Sequence, residues 1–287
     1  MQKGSPKKKI QKEQAQPRPG IELEMNPVPK SDPAPQKGRM QDKVLFITGG
    51  DSGIGKACCL LFASEGADIA IVYLNEHEDA EDTKKKVESS GRRCLLIPGD
   101  ISNEKFCTSA VNKCIKTFGK IDVLINNAAV QFESKTLEDI STEQLLTTYR
   151  TNIFSMFWIT KAALPHMPEG SAIINSTSVT AYRGSPELMD YASTKGAIVA
   201  FTRSLSSNLM KRKIRVNAVA PGPIWTPLIV SSFPPEKSAK HGSDAPMTRP
   251  GQPSEVAPCY LFLACNEDSG YMSGQVLHPN GGEIVNG

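Results

Sequence analysis

Tyr191 and Lys195 stand four residues apart in Asp190-Tyr191-Ala192-Ser193-Thr194-Lys195, and Ser178 lies upstream at the end of an apolar run that reads as a strand. In a helix the four-residue step puts phenol and ammonium on one face, where positive charge favours the phenolate and lowers the tyrosine pKa. A tyrosine so tuned exchanges protons near neutral pH. A serine delivered from a neighbouring strand end can hydrogen-bond the same substrate oxygen, so the three side chains form a proton-transfer constellation that needs a hydride partner.

The other end of the chain supplies a place for that partner. Residues 44–55 read Val-Leu-Phe-Ile-Thr-Gly-Gly-Asp-Ser-Gly-Ile-Gly and run into a helix-like stretch from Lys56 to Glu65. A strand, a glycine turn and a helix start make a phosphate cradle. Gly49 permits the tight turn, Gly53 lets backbone N–H groups approach a pyrophosphate, Gly55 allows close helix-to-strand packing, and the helix N-terminus adds partial positive charge. Asp51, Ser52 and Ile54 complete that turn. Further strands are expected at Asp68 to Tyr73, Arg93 to Pro98 and Val123 to Asn126, separated by helical patterns such as His77 to Ser90. This alternation predicts an α/β fold with a doubly wound parallel sheet. Ligands of such sheets bind at the carboxyl ends of the strands. That places Asp100 and Ile101 at the adenine end and Asn127, Ala128 and Ala129 beside the cofactor.

With these motifs in order, the chain from about residue 41 onward resembles the short-chain dehydrogenase/reductase family. The family's pattern is Thr-Gly-x-x-x-Gly-x-Gly, Asn-Asn-Ala-Gly, Ser, then Tyr-x-x-x-Lys, and only Ala129 departs from it, alanine for glycine. The resemblance implies a single-domain, seven-stranded Rossmann fold with helices on both faces. It implies that Tyr191 is the general acid/base, Lys195 its pKa modulator and nicotinamide-ribose anchor, and Ser178 the clamp on the substrate oxygen. Asn152 resembles the family's active-site asparagine, which holds a water in a proton relay. Pro221-Gly222-Pro223-Ile224-Trp225-Thr226 resembles the segment meeting the nicotinamide carboxamide, contributing Pro221, Gly222, Ile224 and Thr226. The glycine turn, Tyr73-Leu74-Asn75-Glu76 and Pro-Gly-Pro-Ile-Trp-Thr are similar to those of bacterial stress-associated oxidoreductases, NADP-linked aldehyde reductases and plant glucose/ribitol dehydrogenase homologues. Homotetramers or dimers, through helices expected at Thr142 to Met167 and Tyr191 to Lys211, are also implied. Ser141 and Gln144 form a candidate capping box for the first of these.

The coenzyme is NAD(P), with the choice open. An NAD site carries a carboxylate about 20 residues beyond the glycines, and here Tyr73, Leu74 and Asn75 occupy that region. Resemblance points to NADP, whereas Asp51 opposes added negative charge. A substrate pocket is expected from Gln131, Thr180, Tyr182 and Trp225, together with Ser178, under a lid running from Trp225 to Pro250. It suits a small aldehyde, ketone or polyol. A rival reading is a non-catalytic dinucleotide-binding redox sensor or regulator.

The 287 residues suit one core of about 245 residues. Residues 1–40 hold nine Lys/Arg against four Asp/Glu and seven of the 21 prolines, so they read as a flexible basic arm, with the catalytic domain at 41–287. Within the arm, Ile21 to Met25 could pack on a neighbouring subunit. The remainder has 24 basic and 26 acidic residues, which gives no electrostatic case for nucleic-acid binding. No window approaches the roughly 18 apolar residues of a membrane span, so a cytoplasmic protein without a membrane partner is expected. Seven cysteines without Cys-x-x-Cys spacing read as inert core thiols, and four scattered histidines offer no metal site.

Overall fold

The structure, a computed structural model, describes residues 38–285. The basic arm, including Lys7 to Lys9 and Ile21 to Met25, lies outside the described residues up to residue 37. Arg39 and Met40 already belong to the folded body. Met40 is buried in the core, and Arg39 pairs with Glu65 at 2.6 Å and Asp268 at 3.1 Å.

Seven strands form one parallel sheet: β1 (Val44–Thr48), β2 (Asp68–Tyr73), β3 (Cys94–Pro98), β4 (Val123–Asn126), β5 (Ala172–Ser176), β6 (Arg215–Val219) and β7 (Val276–Leu277). Their order is β3-β2-β1-β4-β5-β6-β7. The chain runs outward from β1 to β3 and then returns to the other side of β1 at β4. A crevice therefore opens between the carboxyl ends of β1 and β4, where the connections diverge.

The strands are mostly apolar because both faces are covered, with buried polar residues such as Asp68, Asn126, Asn175 and Arg215 among them. In β1, Leu45 and Ile47 point to one layer and Phe46 to the other, following the two-residue period. The first layer holds α1 (Gly53–Ser64), α2 (His77–Ser89) and a later helix at Pro253–Ala264, with Cys58, Phe62, Val256 and Tyr260 in its core. The second holds α3 (Glu104–Phe118), α4 (Thr142–Tyr149), α5 (Ser155–Ala163), α6 (Thr180–Arg183) and α7 (Met189–Leu209), with Cys107, Val111, Ile159 and Leu209 inward. Asn103 caps α3 by accepting from Lys105 N and Phe106 N, and Gly119 ends that helix in the left-handed region.

The helix expected from Thr142 to Met167 is interrupted once and ends at Ala163, with a 3-10 turn over Leu164–His166 after it. One turn of π-helix, Arg150–Phe154, separates α4 from α5, with Asn152 at its centre. Such turns insert an extra residue and re-aim side chains at functional sites. Ser141 does cap α4 through its hydroxyl, accepting from Gln144 N at 3.1 Å. The Gln144 amide does not complete a capping box; it reaches Ser134 and Asp190 instead, because tertiary acceptors lie within its reach.

Gly55 packs α1 against the turn so closely that an added Cβ would lie 1.8 Å from Gly49 O. Gly55→Ala is therefore expected to force α1 away from β1, lower the melting temperature by on the order of 5 °C and weaken dinucleotide binding more than ten-fold. Calorimetry and a cofactor fluorescence titration check this, and wild-type values in both would contradict it.

Candidate active site

A cavity of about 850 Å³ runs along the carboxyl ends of the strands. Its wall includes the glycine turn at one end and Ser178, Tyr191 and Lys195 at the other, with Asn127, Ala128, Ala129, Pro221, Gly222, Ile224 and Thr226 between them.

At the cofactor end Gly49 and Gly53 both take left-handed backbone conformations, at φ 64° and 53°. A Cβ on Gly49 would press on Ala128 Cα at 3.1 Å. Ser52 at the N-cap of α1 makes no side-chain bond to the helix, and the first turn holds no acidic residue. The opening N–H groups thus face a cradle that suits a pyrophosphate. These residues fit a dinucleotide.

Asn127 fixes the turn. Its Nδ2 donates to Thr48 O at 3.2 Å and Gly49 O at 3.1 Å, and Thr48 Oγ1 accepts from the backbone N–H groups of Asn127 and Ala128. At the adenosine end the wall includes Tyr73, Leu74, Asp100 and Ile101 with Asp51, Glu76 and Asp79. Both Asp100 oxygens accept from Ser102. Burial raises the pKa of Asp51, and Glu76 and Asp79 raise it further. Lys56 is engaged by Asp82 at 2.5 Å.

At the other end α7 carries Tyr191 and Lys195 on one face, both buried. Lys195 Nζ sits 5.2 Å from the Tyr191 ring centroid and donates to Ser176 O at 2.9 Å. The expectation that the ammonium lowers the tyrosine pKa is not met in the chain by itself. Burial dominates both groups. It pushes the Tyr191 phenol up to about 12, with the Ser178 hydroxyl acting in the opposite sense, and it pushes Lys195 down to about 7.

Further groups position α7 and the strand end beside it. Asp190 is buried and accepts from Thr148 Oγ1 at 2.7 Å, Gln144 Nε2 at 3.2 Å and Tyr191 N at 2.8 Å. Thr177 Oγ1 donates to Lys195 O, and Ser176 Oγ shares a 2.6 Å hydrogen bond with Tyr260 OH. Asn152 is fully buried; its Nδ2 donates to Val130 O and Thr194 Oγ1 while its Oδ1 accepts from Val130 N. Both of its N–H donors are spent tying the loop after β4 to α7.

Of the expected substrate-pocket residues, Gln131 and Thr180 line the cavity with Ser178, but Tyr182 and Trp225 do not, nor does Asn75, expected at the cofactor. Tyr182 turns to stack edge-on against His278, at 4.8 Å between ring centroids. Trp225 is exposed, and Asn75 sits in the exposed turn after β2, where its N–H donates to Glu76. Gly55 lies behind the turn, in the packing role expected of it. Thr48, Ser176, Asp190 and Tyr260 escaped sequence reasoning. Only Asp190, a carboxylate next to Tyr191, left any local signal. The lid contributes α8 (Pro227–Ser232) and α9 (Pro235–Ser238), and Lys237 ties it down through Glu133 at 2.6 Å and Glu187.

The described residues contain no cluster of metal-ligating side chains. All seven cysteines are free, and burial holds their thiols high, about 12 for Cys107 and Cys114. No described helix is long and apolar enough to cross a membrane.

Lys195 keeps its proton to about pH 10.5 in the unfolded chain but only to about pH 7 when folded. Its burial therefore costs most below pH 7, and the cost fades as pH rises toward 10.5. Lys195→Met is expected to raise the melting temperature, with a gain that is largest below pH 7 and shrinks by pH 10. A gain that grows with pH in calorimetric scans would contradict this assignment.

The chain is similar to known proteins. A family model described as Enoyl-(Acyl carrier protein) reductase matches residues 49–283. The oxidoreductase YhdF of Bacillus subtilis is 58% identical over 269 residues, covering 93% of each chain. NADPH-dependent aldehyde reductase 1, chloroplastic, of Arabidopsis thaliana is 52% identical over 282 residues, covering 96% of this chain and 98% of that one. Among solved structures, a short chain dehydrogenase from Burkholderia cenocepacia in complex with NADP superposes with a TM-score of 0.79 at 30% identity, covering 85% of this chain and 98% of that one.

Proposed function

The chain belongs to the short-chain dehydrogenase/reductase family and is an NAD(P)-dependent oxidoreductase; from this premise we propose that it interconverts a small aldehyde or ketone with the corresponding alcohol or polyol, with Tyr191 as general acid/base. The carrying observation is that Ser178, Tyr191 and Lys195 share one cavity wall with the glycine cradle.

When bound, the nicotinamide supplies or accepts the hydride at the substrate carbon. In the reductive direction Tyr191 donates its phenolic proton to the carbonyl oxygen as charge develops there, and Ser178 donates a hydrogen bond to the same oxygen. A phenol that burial keeps protonated suits this direction. Lys195, fixed by Ser176 O, holds positive charge beside the phenolate left behind, which regains its proton from solvent. Asn152 acts here as a positioning residue, since its amide joins the loop carrying Gln131 to the helix carrying Tyr191. The aldehyde named in the Arabidopsis relative supports a small carbonyl substrate.

For the coenzyme, carboxylates Asp51, Glu76 and Asp79 favour NAD, while the names of the NADPH-dependent and NADP-bound relatives favour NADP. Free cysteines throughout support a cytoplasmic setting. A homotetramer, or a dimer, fits the apolar groove lined by Ile153, Phe157, Ala197 and Phe201, where Phe157 and Phe201 stack at 4.2 Å and Phe157 stays half exposed.

Tyr191→Phe is expected to retain cofactor binding and lose about 10²- to 10⁴-fold in turnover of short aldehydes, followed at the nicotinamide absorbance band. Activity within a few-fold of wild type would sink the assignment. Phe157→Glu is expected to yield a smaller assembly in light scattering, because it places a charge in the apolar groove; an unchanged mass would remove this face from the interface.

A further inference from the structure

Three cavity-lining residues carry a buried polar atom that has no hydrogen-bond partner: Gln131 Nε2, Thr180 Oγ1 and His241 Nε2. They come from separate elements, Gln131 from the loop after β4, Thr180 from the start of α6 and His241 from the lid beyond α9. Gln131 is only 7% exposed. Folded proteins rarely leave such groups unmatched, because each has lost water without gaining a substitute. The other buried orphans lie away from this wall: Arg39 and Arg92 stand in ion pairs, Tyr182 and His278 stack on each other, and Asn126, whose Oδ1 is unmatched, is tied through its Nδ2 to Asn175 and Thr160.

The three groups are chemically complementary. The Gln131 amide nitrogen donates. The His241 Nε2 donates or accepts according to the ring tautomer. The Thr180 hydroxyl does either. A ligand hydroxyl matches such a set in either tautomer because it accepts and donates at once, whereas a second carbonyl could only accept and an alkyl group would leave all three unmatched.

Position adds a constraint. Thr180 N donates to Ser178 Oγ at 3.2 Å, which couples this cluster to the serine assigned to the reacting oxygen. Lys237, in the helix just before His241, pairs with Glu133, two residues beyond Gln131. The latch thus holds the lid histidine to the loop that carries the glutamine.

We infer that Gln131, Thr180 and His241 form a hydroxyl-recognising subsite, and that the preferred carbonyl substrate bears a hydroxyl close to the carbonyl, as in a short hydroxyaldehyde or hydroxyketone. This rests on the carbonyl-reductase reading above. It makes His241 a specificity-determining residue delivered by the lid.

The test compares kcat/KM for lactaldehyde and propanal, each expressed per free aldehyde, in wild type, Gln131→Leu and His241→Phe. Wild type is expected to favour lactaldehyde at least ten-fold, and each variant to reduce that ratio ten-fold or more, because a site built to hydrogen-bond a hydroxyl discriminates against its absence. Should Gln131→Leu fail to fold, His241→Phe reads the same ratio from the lid. A wild-type preference for propanal, or a ratio unchanged in the variants, overturns the subsite while leaving the reductase reading intact. Turnover of neither aldehyde by wild type overturns the reductase reading and the subsite with it.

Discussion

The site depends on a buried ammonium. Lys195 lies in the interior with the Ser176 carbonyl as its protein acceptor, and burial alone drives its proton affinity down by several orders of magnitude. The fold thereby holds a charged side chain at a place where an apolar one would be more stable, which is the usual relation between a functional group and its scaffold. Its neighbour Tyr191 is driven the other way for the same reason. Burial favours the neutral form of both groups, so a charge on either depends on what else in the cavity stabilises it. The chemistry is thus held in reserve by desolvation.

Such a pair works only if α7 cannot drift, and the polar groups around it account for that rigidity. Asp190 fastens the start of α7 to α4, Asn152 fastens its second turn to the loop after β4, and Thr177 fastens the Lys195 carbonyl to the end of β5. Asn152 does this from the centre of a single π-turn that interrupts the helix, its amide reaching Val130 and Thr194. On the opposite side of β5, Ser176 and Tyr260 share a buried hydrogen bond that joins the other helical layer. The two halves of the site are therefore braced from both faces of the sheet.

The glycine turn meets a different constraint, close approach of backbone to backbone. Gly49 O lies where a Cβ on Gly55 would be, and the Asn127 amide closes the same turn from β4. The cradle and the proton-transfer group meet along the carboxyl ends of neighbouring strands because the strand order reverses between β1 and β4.

Much of this was legible in the chain itself. The β2 and β4 bounds, the helix after the glycines, the parallel alternation and the spacing of Ser178, Tyr191 and Lys195 follow from periodicity and motif, since each is a local property of a few consecutive residues. The sequence alone therefore determined the fold class and picked out the candidate cofactor cradle and the candidate proton-transfer residues. The tertiary structure decided what those residues experience. It reversed the expected tyrosine shift, since burial is a sum over neighbours distant in the chain; it turned Tyr182 and Trp225 away from the cavity; it spent the Asn152 amide on Val130 and Thr194; and it brought His241 to the wall that holds Gln131. Solvation and contact are long-range quantities, and no spacing along a single strand or helix encodes them.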